Sequence, residues 1–132
     1  CEQYIATLPS NVEVNYKGSI DGDLIVDTLR SYDFFILLSK GENFGHAILE
    51  AFSAGCPVII SDQTPWKDLK SKNIGWEVNT SISEEVGKAL NEACQMSPTE
   101  YQVWSQNAVE FYRSFAQNSE LLESNLNLFN KD

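Results

Sequence analysis

The chain has 132 residues, 42% hydrophobic and 21% charged, an ordinary globular composition that suits one domain with a real core and excludes wholesale disorder. Lys and Arg total 9 against 19 Asp and Glu, a net charge of −10. Such a surface argues against nucleic-acid binding and against a polybasic membrane dock, which both need cations to meet phosphates. An anionic ligand must therefore be held by local geometry.

No apolar run reaches the roughly 18 residues that a bilayer span takes. The first residue is Cys1 rather than Met, and no basic segment leads an apolar one. We therefore expect no signal peptide and a cytoplasmic protein, its parent working at the cytoplasmic face of a membrane at most. Cys1, Cys56 and Cys94 are odd in number and lack C-x-x-C spacing, so neither a disulfide framework nor a zinc site is expected.

In chain order, Cys1 to Leu8 reads as the tail of a helix and Val12 to Tyr16 as an alternating strand. Asp21 to Arg30 has helical spacing with acidic residues in its first turn, where the macrodipole favours them. Asp33 to Leu38 is apolar after the Asp, the pattern of a central parallel strand covered on both faces. A loop over 39–44 leads into a helix from Gly45 to Ala54, with Gly55 as its C-cap. Pro57 to Ile60 is a second buried strand, Pro65 starts a short helix from Trp66 to Lys72, and Ile74 to Val78 is a further strand. Ser81 to Gln95 is a helix capped by Ser81 or Ser83, with Glu84 and Glu85 in its first turn. After Ser97-Pro98, two helical stretches follow, Thr99 to Phe115 and Asn118 to Phe129. Tyr101, Trp104, Ala108, Phe111 and Phe115 share one side, as core residues do. The alternation of strands and helices predicts an α/β fold, an open parallel sheet with flanking helices and a helical C-terminal tail over 97–132.

The segment Ser39-Lys-Gly-Glu42-Asn43-Phe44-Gly45-His46-Ala47-Ile48-Leu-Glu50 lies between a strand and a helix, where open α/β sheets collect ligands. Gly45 lets the chain turn into the helix, and the amides of Gly45 to Ile48 are candidate donors for an anion. On that account Gly45 is expected to matter more to the ligand than to the fold. Glu50 sits in an otherwise apolar helix, either on a solvent stripe or holding paired hydroxyls of a sugar or ribose. His46 is the single histidine, so no His-containing triad or multi-His metal site can form within the chain. Gln63 and Thr64 are candidates for a wall of the pocket, and Cys56 is expected to be a small buried packing residue.

Glu42 to Glu50, followed by Ala-Phe-Ser-Ala-Gly55-Cys-Pro57-Val-Ile-Ile-Ser61, resembles the donor-domain signature of the GT-B-fold retaining glycosyltransferases, the glycosyl transferases group 1 family. Val12-Glu-Val-Asn-Tyr-Lys-Gly18, Arg30-Ser-Tyr-Asp33-Phe and Gly75-Trp-Glu-Val78 resemble its flanking motifs, over about residues 10 to 95. Asn43 replaces the usual Gly and Leu38 the usual Pro, as in a variant branch.

The resemblance implies a Rossmann-like donor half of a GT-B fold spanning 1–132 as a partial nucleotide-sugar domain. Glu42 would be the catalytic residue beside the donor sugar, and Asn43, Phe44, Gly45, His46, Ala47 and Ile48 would contact sugar hydroxyls and phosphates. Glu50 would hold the ribose, and the turn at Gly18 and Ser19 would lie near the base. The implied chemistry is hexosyl transfer from a nucleoside-diphosphate sugar to an acceptor with retention, with no metal and no further cofactor. The acceptor domain, and the opening strand that carries the family's basic pair, are not in this sequence. We expect a fragment of a longer parent, inactive by itself, whose partners are the nucleotide-sugar donor, an acceptor and that amino-terminal domain. Self-association through the C-terminal helix is a further expectation. A sugar-nucleotide epimerase of the same architecture and a binding module without turnover are the alternatives.

Overall fold

A computed structural model describes residues 9–40 and 45–129, with side chains as far as Ser119. The expected helix tail over Cys1 to Leu8 lies outside the described residues, as do the side chains of the apolar stripe expected to self-associate near the C-terminus.

A 3-10 turn, Gly22–Leu24, leads into the short helix α1, Ile25–Leu29. Strand β1, Phe35–Leu37, is followed by α2, His46–Ser53, then β2, Val58–Ser61, and β3, Gly75–Val78. Helix α3 spans Ser83–Cys94, and α4 spans Pro98–Phe129 as one continuous helix of 32 residues. The strands form a parallel sheet in the order β1-β2-β3, with Phe35 opposite Val58 and Val58 opposite Gly75. The expected α/β architecture with an open parallel sheet, flanking helices and a helical tail is therefore present.

Strand side chains alternate between faces, and β2 is buried along its whole length. Val58 and Ile60 pack with Ile48, Ala51 and Phe52 of α2, with Trp66, Leu69 and Ile74, and with Ala108 of α4. Ile59 lies in the opposite layer with Trp76 and Val78 of β3, Ala89 and Ala93 of α3, and Trp104 of α4. The stacked indoles of Trp76 and Trp104, 4.7 Å between centroids, join β3 to α4. Glu92 of α3 accepts the Trp76 indole N–H at 2.8 Å and pairs with Lys70 at 3.1 Å. The indole, and then Lys70, hold its carboxyl below the ordinary value.

Helix α2 ends in a Schellman motif. Gly55, at φ 78°, donates to the Phe52 carbonyl, and Cys56 donates to that of Ala51 at 2.9 Å. Ser105 of α4 then donates its hydroxyl to the Gly55 carbonyl at 2.7 Å, so the glycine cap is also a helix-docking point.

Four local expectations are corrected. Val12 to Tyr16 is not a strand among the described residues: it has no neighbouring strand to bond with, and Tyr16 is 92% exposed. β1 is an edge strand rather than a central one, because nothing described pairs beyond it, and Ile36 is 47% exposed. Residues 66–68 have no regular structure and 69–73 form a turn, so the expected helix over 66–72 is absent. Asp68 and Asn73 take positive φ, 59° and 56°, which bounds the region on both sides with left-handed residues, while the Leu69 N–H is taken by the Glu77 carboxylate at 2.6 Å. Neither Ser81 nor Ser83 caps α3. Its N-cap is Ile82, and its entry is fixed instead by Glu85 accepting the Asn79 N–H at 2.8 Å and by Asn79 accepting that of Ser81. Glu84 and Glu85 do occupy the first turn.

Cys56 is the buried packing residue expected, its thiol shared between the carbonyls of Leu29 at 3.1 Å and Tyr32 at 3.2 Å. Burial, and then the nearby Asp33, push the thiol up from 9.0 to about 11. The folded chain holds this proton more tightly than the unfolded one. The contribution is therefore complete below pH 9 and lost as pH climbs to about 11, a loss of about 2–3 kcal/mol. Thermal midpoints followed over that range should fall more steeply for the wild type than for Cys56→Ala, which lacks the titrating group. An equal fall in both would assign the alkaline loss elsewhere, for instance to Tyr101, whose hydroxyl is also pushed up by burial.

Candidate functional site

All three strands run in one direction, so their carboxyl ends open onto a single edge. There β1 gives way to Leu38, Ser39 and Lys40, β2 to Asp62, Gln63 and Thr64, and β3 to Asn79. Helix α2 starts beside the β1 exit. This is the position at which an open α/β sheet binds its ligand.

Gly45 is the N-cap of α2, in the left-handed region at φ 76° and ψ 59°. It is buried, and a Cβ there would lie 2.9 Å from Ile48 Cδ1 and 3.1 Å from Trp66 Nε1. The glycine is thus required by the backbone and by its packing. The fold thus makes its own demand for a glycine here, beside the ligand role expected from the sequence.

The donor count at the helix start is also smaller than expected. The Ile48 and Leu49 amides both donate to the Gly45 carbonyl, at 3.0 and 3.2 Å. The Ile48 side chain is wholly buried in the core. His46 and Ala47 form the exposed first turn. Glu50 follows one turn on and is half-buried. It stands between the two positions the sequence left open, and its carboxylate has no hydrogen bond or ion pair among the described residues. Glu42, Asn43 and Phe44 lie outside the described residues. Gly18, at φ 71°, and Ser19 sit in an exposed segment ahead of α1, and an added Cβ at Gly18 would meet nothing within 4 Å.

At the β2 exit, Gln63 is exposed and bonds Asp62, whereas Thr64 is buried with its Oγ1 accepting the Trp66 N–H at 3.3 Å. Lys67 reaches back to the Asp62 carbonyl, which ties the loop to itself.

One residue went unread in the sequence. Ser39, two residues past β1, has a buried Oγ that makes no hydrogen bond among the described residues. Such a hydroxyl typically costs about 1–3 kcal/mol. The motif segment begins at Ser39, but no residue pattern marks its hydroxyl as unsatisfied, because hydrogen-bond satisfaction depends on which atoms the fold brings near.

A surface cavity of about 430 Å³ opens at the opposite, amino end of β1, lined by Asp33, Phe34, Ala93, Cys94, Met96, Pro98 and Tyr101. The Tyr101 hydroxyl there is already bonded to the Asp33 carbonyl at 2.9 Å. The polar groups of the sheet's carboxyl edge do not line this cavity.

A parallel sheet with helices on both faces, and a glycine-capped helix at its carboxyl edge, defines a Rossmann-like α/β half-domain. Residues 2–111 match the family model for glycosyl transferases group 1, and the chain belongs to that family. It carries a glycosyltransferase domain, of a family that acts between a sugar donor and an acceptor. No curated protein matches the chain. No helix among the described residues is long and apolar enough to cross a membrane.

Proposed function

We propose that the chain is the donor-binding part of a GT-B-fold glycosyltransferase that moves a hexose from a nucleoside-diphosphate sugar to an acceptor with retained configuration. The observation that carries this reading is the juxtaposition at the sheet's carboxyl edge: the β1 exit, the Gly45-capped helix, and Glu50 one turn along it with no polar partner among the described residues, all within the family match. The family membership favours a transferase over an epimerase or a binding module without turnover.

In this reading the pair Glu42 and Glu50 forms the E-x7-E motif. A carboxylate accepts two hydrogen bonds, which suits Glu50 to the vicinal hydroxyls of a ribose. The reading assigns Glu42 to the donor sugar, and Asn43, Phe44 and the amides that open α2 to the sugar hydroxyls and the diphosphate. The Gly18–Ser19 turn closes on the base. Departure of the sugar leaves negative charge on the diphosphate, and N–H and O–H donors at the loop and helix start stabilise it in place of a metal. Transfer itself is a property of the parent, in which an acceptor-binding domain completes the crevice and sets the reacting geometry.

The test is Glu42→Ala in the parent. Transfer should fall about 100-fold or more, as for loss of a group acting in the transition state, with the thermal midpoint within about a degree of wild type. Glu50→Gln should instead act mainly on the donor KM. Near-wild-type transfer by Glu42→Ala would overturn the reading.

A further inference from the structure

We propose that the Ser39 hydroxyl is a ligand contact that donates a hydrogen bond to a phosphate oxygen of the donor's diphosphate. This rests on the donor-site reading above and adds a residue to it. Three hydroxyl side chains lie at or just past the carboxyl ends of β1 and β2. Ser61 Oγ accepts the Gln63 N–H at 3.1 Å, and Thr64 Oγ1 accepts the Trp66 N–H at 3.3 Å. Ser39 Oγ is buried like them, yet it alone among the described residues' buried side-chain polar atoms has no partner.

Native proteins keep few such groups, since burying a hydroxyl without a partner is unfavourable. A hydroxyl left in this state at a ligand-binding edge is satisfied when a ligand supplies the acceptor. A phosphate is the acceptor that fits. The chain carries a net charge of −10, and the Ile48 and Leu49 amides are already committed to the Gly45 carbonyl. An anion at the start of α2 therefore gains from a further donor beyond the amides of its first residues. A hydroxyl from the adjoining strand exit provides one without adding charge, and its bond to a charged oxygen is stronger than one to a neutral acceptor.

The experiment uses the full 132-residue chain, with Ser39→Ala, which deletes the hydroxyl, and Ser39→Thr, which keeps it. Thermal midpoints are measured together with affinities for UDP and for GDP, by titration of backbone amide shifts. For whichever diphosphate the wild type binds, Ser39→Ala should weaken affinity about tenfold. Its midpoint should hold or rise, because an unsatisfied buried group has been removed. Ser39→Thr should keep the affinity within about threefold of wild type. If Ser39→Ala binds the diphosphate as tightly as wild type, the Ser39 assignment is overturned while the donor-site reading stands. A lowered midpoint with unchanged affinity would likewise make Ser39 a structural residue. If the wild-type chain binds neither diphosphate, the donor-site reading of this chain fails, and the Ser39 contact with it.

Discussion

Gly75→Ala is expected to destabilise this domain strongly, although it adds a single methyl group. The added Cβ would lie 2.4 Å from the Val58 carbonyl oxygen, 2.8 Å from Val58 Cγ2 and 3.1 Å from the Val58 nitrogen. Two of those three atoms are backbone, in the fully buried β2, and Val58 is the residue paired with Gly75 in the sheet. No rotamer change relieves the overlap. β3 must move away from β2, which disturbs Ile59 and Trp76 on one face and Val58 and Ile60 on the other. Overpacking with a backbone shift typically costs about 1–3 kcal/mol, and pushing β3 off the buried central strand β2 belongs at or above the top of that range. A fall in thermal midpoint on the order of 10 °C follows. Gly87→Ala is the matched control. It makes the same chemical change in the interior of α3, where nothing lies within 4 Å of the new Cβ. That variant should gain about 0.5–1 kcal/mol from helix propensity. Denaturant midpoints that moved in the same direction for both variants would show that conformational entropy, and not the β2–β3 approach, governs the glycine at 75.

What could be read from the residues is what depends on near neighbours. Pro57 to Ile60 is apolar without interruption, and such a run between turn signals reads as a strand buried on both faces. Gly55 before it marks the helix end that the structure builds as a Schellman motif. The spacing of Trp104, Ala108, Phe111 and Phe115 identifies the buried side of α4 because the helical period alone fixes it. What escaped depends on partners far along the chain. The apolar run Phe34 to Leu38 is equally consistent with a central and an edge strand, and only the sheet order decides. The alternation at Val12, Val14 and Tyr16 describes a strand's shape but cannot provide a neighbouring strand. Pro65 is a fair helix-start signal, yet Asp68 and Asn73 in left-handed conformations close the region into turns instead. The same division runs through the candidate site. Gly45, His46 and Glu50 fall on the helix where the motif spacing sets them, but the unpartnered hydroxyl of Ser39 becomes visible only once the strands are assembled.

Gly45→Val should lower stability by about 2–4 kcal/mol, and its effect on nucleotide binding should follow from that loss. Two costs combine at this position. A residue with a Cβ is unfavourable at φ 76° by roughly 1–2 kcal/mol, and β-branching aggravates it because two heavy atoms then crowd the backbone. The Cβ also meets Ile48 Cδ1 at 2.9 Å and Trp66 Nε1 at 3.1 Å. The Ile48 contact is with the far end of a flexible side chain and can yield. Trp66 has less freedom, since its ring packs edge-on against Phe52 and Phe111, at 6.0 and 5.9 Å between centroids. Displacing it transmits the strain into the layer that joins α2 to α4. Gly45→Asn separates the two costs. Asparagine tolerates the left-handed region far better than valine, so it keeps the packing cost while shedding most of the backbone one. The expected order of thermal midpoints is wild type, then Gly45→Asn, then Gly45→Val. A Gly45→Val protein with a wild-type midpoint and abolished diphosphate affinity would return Gly45 to the role of a ligand contact and refute its structural role at the head of α2.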